Sequence, residues 1–381
     1  MMDFALSEQQ NQILDTVDRF MARHAPPEEI RRRDAQHIPP YDLLPAMGAA
    51  GFFGLAVPEE YGGSGQDWTT VALAQERLGQ HGYCVASIFN RVVGFGAMSF
   101  LTYGSEAQKW EFLPRLVEGK CLIALALTEP QAGSDAAAIT TRGVETDGGW
   151  KVRGRKTWIS DAGGADYLLA AVRTEPDSKG AGGISMLLIP RDAPGISMTK
   201  LPKVGNNCMP SWDIGFDDVF VPYDAVLGER GRGFPDLMST LHYSRASMAA
   251  TITGCAQAAV DAALAHAKER QQFGRPIGSF QTIRHRLVDM QMRVDASRHG
   301  VRYLAWLIGT GRPCRREAAQ AKVQATECLQ FVTDHGMQIM ASAGYSAESD
   351  MQRYWRDARL YSFGEGSNEI QRDIIARELG L

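Results

Sequence analysis

Asp147-Gly148-Gly149, running into Trp150-Lys151-Val152-Arg153-Gly154, is the stretch that decides the fold. Asp-Gly-Gly is a hairpin-turn signal, because glycine adopts the left-handed backbone that tight turns require. The residues after it read as a short strand. Working outward, Ile123 to Leu127 is a short apolar run. Thr157-Trp158-Ile159-Ser160, Tyr167 to Val172, Gly183 to Pro190 and Ile214 to Val221 are further short strands, bounded by Gly, Pro and Asp turns. This texture predicts a small antiparallel β domain over about 122–229, with the loop Glu175 to Gly182 as a mobile tip.

On both sides the period changes. In residues 1 to about 121, Ser7-Glu8-Gln9-Gln10 has capping-box form, and Ile13, Leu14, Val17, Phe20 and Met21 follow at helical spacing. Pro26-Pro27 ends that helix. Tyr41 to Ala50, Trp68 to Leu78 and about Val85 to Tyr103 read as further helices, and Pro58 to Gly65 as a glycine-rich loop. That loop lacks the Lys-Ser/Thr of a phosphate cradle. Beyond Gly233, Asp236 to Arg270 is alanine-rich and apolar on most sides, which predicts a buried helix. Gln281 to Ile308 carries an apolar stripe suited to a bundle, and Glu317 to Ala341 forms another helix. The fold class is α+β: an N-terminal helical domain (1–121), a middle antiparallel β domain (122–229) and a C-terminal four-helix bundle (230–381).

Composition narrows the function classes. The chain has 381 residues, more than one compact core holds. Net charge is −4 with no basic tail or stripe, which argues against nucleic acid as a partner. The six cysteines, Cys84, Cys121, Cys208, Cys255, Cys314 and Cys328, are scattered with no metal-ligand spacing, and read as reduced core thiols. No signal peptide or long charge-free apolar run is present, so membrane insertion is not expected. A bacterial cytoplasmic setting is expected.

One stretch carries chemistry: Phe363-Gly364-Glu365-Gly366-Ser367-Asn368-Glu369-Ile370-Gln371-Arg372. Glu365 lies between two glycines at a helix mouth. Ser367 or Asn368 can cap that helix, and Glu369 in its first turn suits the helix dipole. A carboxylate so placed can point into a cavity as a general base. Taken alone, it can equally be a solvated loop acid.

Four ordered motifs resolve that ambiguity. They are Leu127-Thr128-Glu129-Pro130-Gln131-Ala132-Gly133-Ser134-Asp135, Lys156-Thr157-Trp158-Ile159-Ser160, Arg270-Gln271-Gln272-Phe273-Gly274, and Glu365 through Arg372. With them the chain resembles the acyl-CoA dehydrogenase family of flavoproteins from end to end. The resemblance implies FAD between the β domain and the C-terminal bundle. Thr128 and Ser134 match positions that bind the flavin and its pyrophosphate, with Leu127 and Gly133 beside them. Trp158 matches the aromatic wall, and Ser160 the hydroxyl near flavin N5. Arg270, Gln272 and Phe273 match the segment that a neighbouring subunit sends to the adenine-diphosphate half. Gln338 and Ser367 match further positions there, and Gln281, Ser342 and Glu369 complete the implied cofactor set. Glu365 matches the base that takes the α-proton of an acyl thioester while the β-hydride passes to flavin. Arg245 matches an electrostatic partner of the catalytic loop, or else an ion pair between bundle helices. Tyr243 and Gly364 are implied on the substrate side. An electron-transferring flavoprotein as acceptor and a homotetramer are also implied.

Some positions depart from the family pattern. His242 stands where an acidic residue is common, and Ala341-Ser342 replaces a usual Gly-Gly. Ser244 occupies the site where one branch carries its base, which serine cannot supply. Gly364 opens space beside the base. Arg91, in the greasy segment Ser87 to Val93, is expected at the far end of the acyl pocket. There it either pairs with a protein carboxylate or receives a polar group of the acyl chain. An oxidase, or an enzyme acting on a carrier-protein-bound thioester, remains an alternative, as does a non-catalytic flavoprotein of this fold.

Overall fold

The computed structural model describes residues 5–381; the first four residues of the 1–121 segment lie outside the described residues. The first helix, Glu8–His24, opens on the capping box as read: Ser7 Oγ accepts from Gln10 N, and the Gln10 side chain accepts from Ser7 N. Pro27 does more than end this helix. It is the first residue of another, Pro27–Gln36, because proline's fixed φ suits the first helical position. The expected helix Tyr41 to Ala50 is a 3₁₀ turn, Tyr41–Leu43, followed by Leu44–Ala49.

Tyr83 to Tyr103 is continuous but not uniform. It runs α-helical over Tyr83–Phe89, π-helical over Asn90–Ala97 and α-helical again over Met98–Tyr103. This segment and Gly233–Glu269 are long and apolar enough to cross a membrane. However, 89% and 72% of their apolar windows are buried inside the protein, so packing accounts for their greasiness. Trp68–His81 packs on Gly233–Glu269 and on Gln281–Gly309, seating the N-terminal helices against the C-terminal bundle. Arg315–Met340 and the last helix, Asn368–Glu378, complete that bundle.

Between the helical parts lies an eight-stranded sheet. Its strands are β1 (Ile123–Ala126), β2 (Arg142–Thr146), β3 (Gly149–Ser160), β4 (Tyr167–Arg173), β5 (Ile184–Pro190), β6 (Ile196–Leu201), β7 (Ser211–Pro222) and β8 (Val226–Leu227). The Asp147-Gly148 turn joins β2 to β3, with Thr146 opposite Gly149 and Gly148 at φ +76°. Most pairings are antiparallel, but β1 runs parallel to β4, and β2 meets β4 in parallel at Arg142 and Arg173. The loop read as a mobile tip is pinned. Arg173 donates to the carbonyls of Gly180 and Gly182, and Arg230 Nε to Glu175 at 2.6 Å.

Candidate active site

Glu365 is held in the left-handed backbone region, φ +54°, which a residue with a β-carbon adopts only when its surroundings impose it. Those surroundings are visible. Ser367 Oγ caps the next helix by accepting from Ile370 N. Asn368 is buried, and its Oδ1 accepts from Lys322 Nζ at 2.8 Å and Thr326 Oγ1 at 3.1 Å. Buried Gln371 donates back to the carbonyls of Glu365 and Gly366, both at 3.3 Å. The loop therefore presents its carboxylate from a rigid seat.

Each carboxylate oxygen has its own donor. Ser244 Oγ donates to Oε2 at 2.7 Å, and Asn90 Nδ2 to Oε1 at 3.3 Å. Ser244, which cannot itself serve as a base, is a hydrogen-bond partner of Glu365 instead. Three cations feel this carboxylate: Arg91, Arg245 and Lys322. Arg245 is buried with its Nε unpartnered; burial lowers its pKa against the pull of Glu365. Burial likewise pushes Lys322 down to about 8, with Glu365 opposing. Beside Arg245, burial lowers His242, and the Tyr243 ring lies 4.9 Å from Trp68. Gly364 has open space: a β-carbon there would meet only the Leu360 carbonyl, at 3.5 Å.

Arg91 has found a protein carboxylate. Its Nε lies 3.3 Å from Asp161 Oδ2, its Nη2 donates to Met209 Sδ, and Tyr41 Oη donates to Asp161 Oδ1 at 3.0 Å. Asp161 follows Ser160 directly, so this pair ties the end of β3 to the helical segment whose Asn90 touches Glu365.

The two motifs of the β domain meet. Thr157 N donates to the Thr128 carbonyl, and fully buried Lys156 reaches the Leu127 carbonyl at 3.0 Å and Glu129 at 2.8 Å. Glu129 also accepts from Gln131, Thr140 and Thr141. Past Lys156, β3 gains one residue against β7, and Trp158 sits in that bulge at φ +58°, 53% exposed as a residue. An exposed aromatic face and the hydroxyls of Thr128, Ser134 and Ser160 fit a planar ring with a polar edge. Gly133 adds no obstruction, since a β-carbon there would meet nothing.

The remaining predicted residues lie elsewhere. Arg270 ends the long helix, and Gln272 and Phe273 stand in the exposed hairpin Gln271–Gln272 and Arg275–Pro276, with Phe273 92% exposed and Gln281 just beyond. Gln338 and Ser342 line a separate cleft of about 450 Å³ with Ala341 between them. Ala341 has φ +51° and ψ −133°, a glycine-type conformation. Glu369 is exposed, and its pKa is lowered by backbone and Ser367 donors. Sequence reasoning missed Asn90, Lys322, Asp161 and the Glu129–Lys156 pair, although Asn90 stands next to Arg91, and it named Ser244 without its bond to Glu365.

Comparison with known proteins identifies the family. The acyl-CoA dehydrogenase N-terminal, middle and C-terminal domain families match residues 7–120, 124–219 and 231–380. A probable acyl-CoA dehydrogenase of Bacillus subtilis, YngJ, is 38% identical over 384 residues, covering 99% of this chain and 100% of its own. Butyryl-CoA dehydrogenase from Megasphaera elsdenii superposes with TM-score 0.96 at 34% identity over the full length of both chains. The prolyl acyl carrier protein oxidase AnaB superposes with TM-score 0.94 at 27% identity, covering 99% of this chain and 100% of that one. With all three domains matched and full-length relatives above 30% identity, the chain belongs to the acyl-CoA dehydrogenase family.

Proposed function

We propose that this chain is an FAD-dependent dehydrogenase of acyl thioesters, with Glu365 as the base that takes the α-proton. The observation that carries this reading is the Glu365 carboxylate itself, fixed at both oxygens by Asn90 and Ser244 on a loop held in left-handed backbone. An α-proton next to a thioester is weakly acidic, so its removal needs a positioned base and a stabilised enolate oxygen. Glu365 supplies the first. Its own backbone N–H is the donor assigned to the thioester carbonyl, with Arg245 contributing positive potential. Leu127, Thr128, Gly133, Ser134, Trp158 and Ser160 would hold the flavin end of the cofactor. Arg270, Gln272, Phe273 and Gln281 of a neighbouring subunit, with Gln338, Ser342, Ser367 and Glu369, would hold the nucleotide end. A bound flavin supplies the acceptor for the β-hydride.

Gly364 and Tyr243 border the acyl group in this reading. Arg91, paired with Asp161, acts first as the ion pair between β3 and the base-bearing wall. The reading extends to a bacterial cytoplasmic homotetramer with an electron-transferring flavoprotein as acceptor. The test is anaerobic mixing of the yellow holoprotein with a panel of acyl-CoA and acyl-carrier-protein thioesters. Bleaching of the flavin by CoA esters supports the proposal, and bleaching only by carrier-bound esters moves the substrate to a carrier protein. Fast peroxide formation in air marks an oxidase, and a protein that binds no FAD ends the reading.

A further inference from the structure

Asn90 begins the π-helical segment Asn90–Ala97, a rare helix form that is frequent at functional sites. It is only 6% exposed. Its Nδ2 is committed to Glu365, and its Oδ1 is buried without a hydrogen-bond partner. Burying half an amide unsatisfied is costly, so the donor half must be held for a reason. The partner across the gap is 275 residues away, on the loop that carries the base.

The seat for this amide is Gly94. Helical Cα–Cβ bonds tilt toward the N-terminus, so a β-carbon at 94 would project back onto residue 90. Built there, it would overlap Asn90 Oδ1 and press Ser244 Cα at 3.3 Å. Gly94 thus lies between the two residues that hold Glu365. Its lack of a side chain lets the Asn90 amide fold over the helix and lets Gly233–Glu269 approach closely enough for Ser244 to reach the other oxygen.

We infer that Asn90 is a positioning residue for the base, seated by Gly94, and that the pair aims the Glu365 carboxylate rather than merely filling the core. The inference rests on the reading of Glu365 as base. A misplacement of about 1 Å at a reacting group costs on the order of 100-fold in rate. Asn90→Ala is therefore expected to keep its flavin and to bind thioester within about threefold of wild type. Its limiting rate of flavin reduction should fall roughly 10- to 100-fold, with a larger isotope effect for α-deuterated substrate.

Holoprotein of the wild type, Asn90→Ala, Gly94→Ala and the double variant forms the test, with Ser87→Ala as control. Ser87 is buried on the same helix, donates to the Cys84 carbonyl and is expected to change nothing. Gly94→Ala should cost at least as much as Asn90→Ala, and clearly less in the Asn90→Ala background than alone, because the amide it displaces is gone and only the contact with Ser244 is left. Urea unfolding of the same proteins should show the same non-additivity without substrate. Wild-type reduction rates in Asn90→Ala, or equal costs of Gly94→Ala in both backgrounds, overturn the inference. If no thioester reduces the wild-type flavin, the functional reading falls on its own, and additive urea midpoints then dispose of the seat as well.

Discussion

Of the three glutamates in the motifs of this chain, Glu129 and Glu365 are satisfied in opposite ways. Glu129 is 2% exposed and takes donors from Lys156, Gln131, Thr140 and Thr141. Burial pushes its carboxyl up, but Lys156 and those donors outweigh it and hold the group down at about 2. Lys156 is pushed down to about 8 by the same burial. Glu365 is only half-buried and has one donor on each oxygen. A carboxylate wrapped by donors locks a loop to a strand and has nothing left for a substrate. One with a single donor on each oxygen is aimed, with lone pairs to spare. Satisfaction of the oxygens, more than motif membership, separates a carboxylate spent on structure from one left available.

That contrast can be broken most severely at Glu365. Glu365→Gln should fold, keep FAD and lose thioester-driven flavin reduction by about 10²–10⁴-fold, the usual worth of one acid–base group. Stopped-flow absorbance reads it, and a near wild-type rate would place the base elsewhere. Glu129→Gln should show the reverse pattern. It strands a buried lysine, and breaking a buried pair by removing one partner costs about 3–5 kcal/mol. The denaturant midpoint should drop sharply, and an unchanged midpoint would deny Glu129 its structural role.

The pH dependence of stability sharpens the same point. A carboxyl depressed in the folded state stabilises above its unfolded pKa, near 4.5, and that contribution is lost as pH falls toward about 2. Melting between pH 5 and pH 2.5 should therefore be steeper for wild type than for Glu129→Gln; parallel curves would contradict this. The smallest effect concerns Ala341 in its glycine-type backbone. Ala341→Gly should raise stability by about 1 kcal/mol, strain relieved less the entropy that glycine adds to the unfolded chain. A lower melting temperature would show that the alanine conformation is not strained.

Much of the architecture was legible because its signals are local. The Ser7 and Ser367 caps, the Asp147-Gly148 turn and the apolar stripe of Gln281–Gly309 each lie within a few residues of what they specify. What was missed depends on distance or on a residue's second use. Pro27 reads as a stop, yet it starts a helix. The parallel pairing of β1 with β4 joins strands separated by two others, which no periodicity reports. At the site, Glu365 and Arg245 stood out by type and motif. Asn90 did not, because an asparagine in an apolar helix has no signature until residue 365 comes to rest beside it. Asp161 was missed for the same reason: only the fold brings it to Arg91.

The central claim is that Glu365 removes the α-proton, and α-proton exchange tests it most directly. The holoprotein is incubated in D₂O with an acyl thioester whose β-carbon is replaced by sulfur, which cannot lose hydride, and the α-position is followed by NMR. The account predicts rapid deuterium uptake with wild type and none above background with Glu365→Gln; uptake at equal rates by both proteins would contradict it.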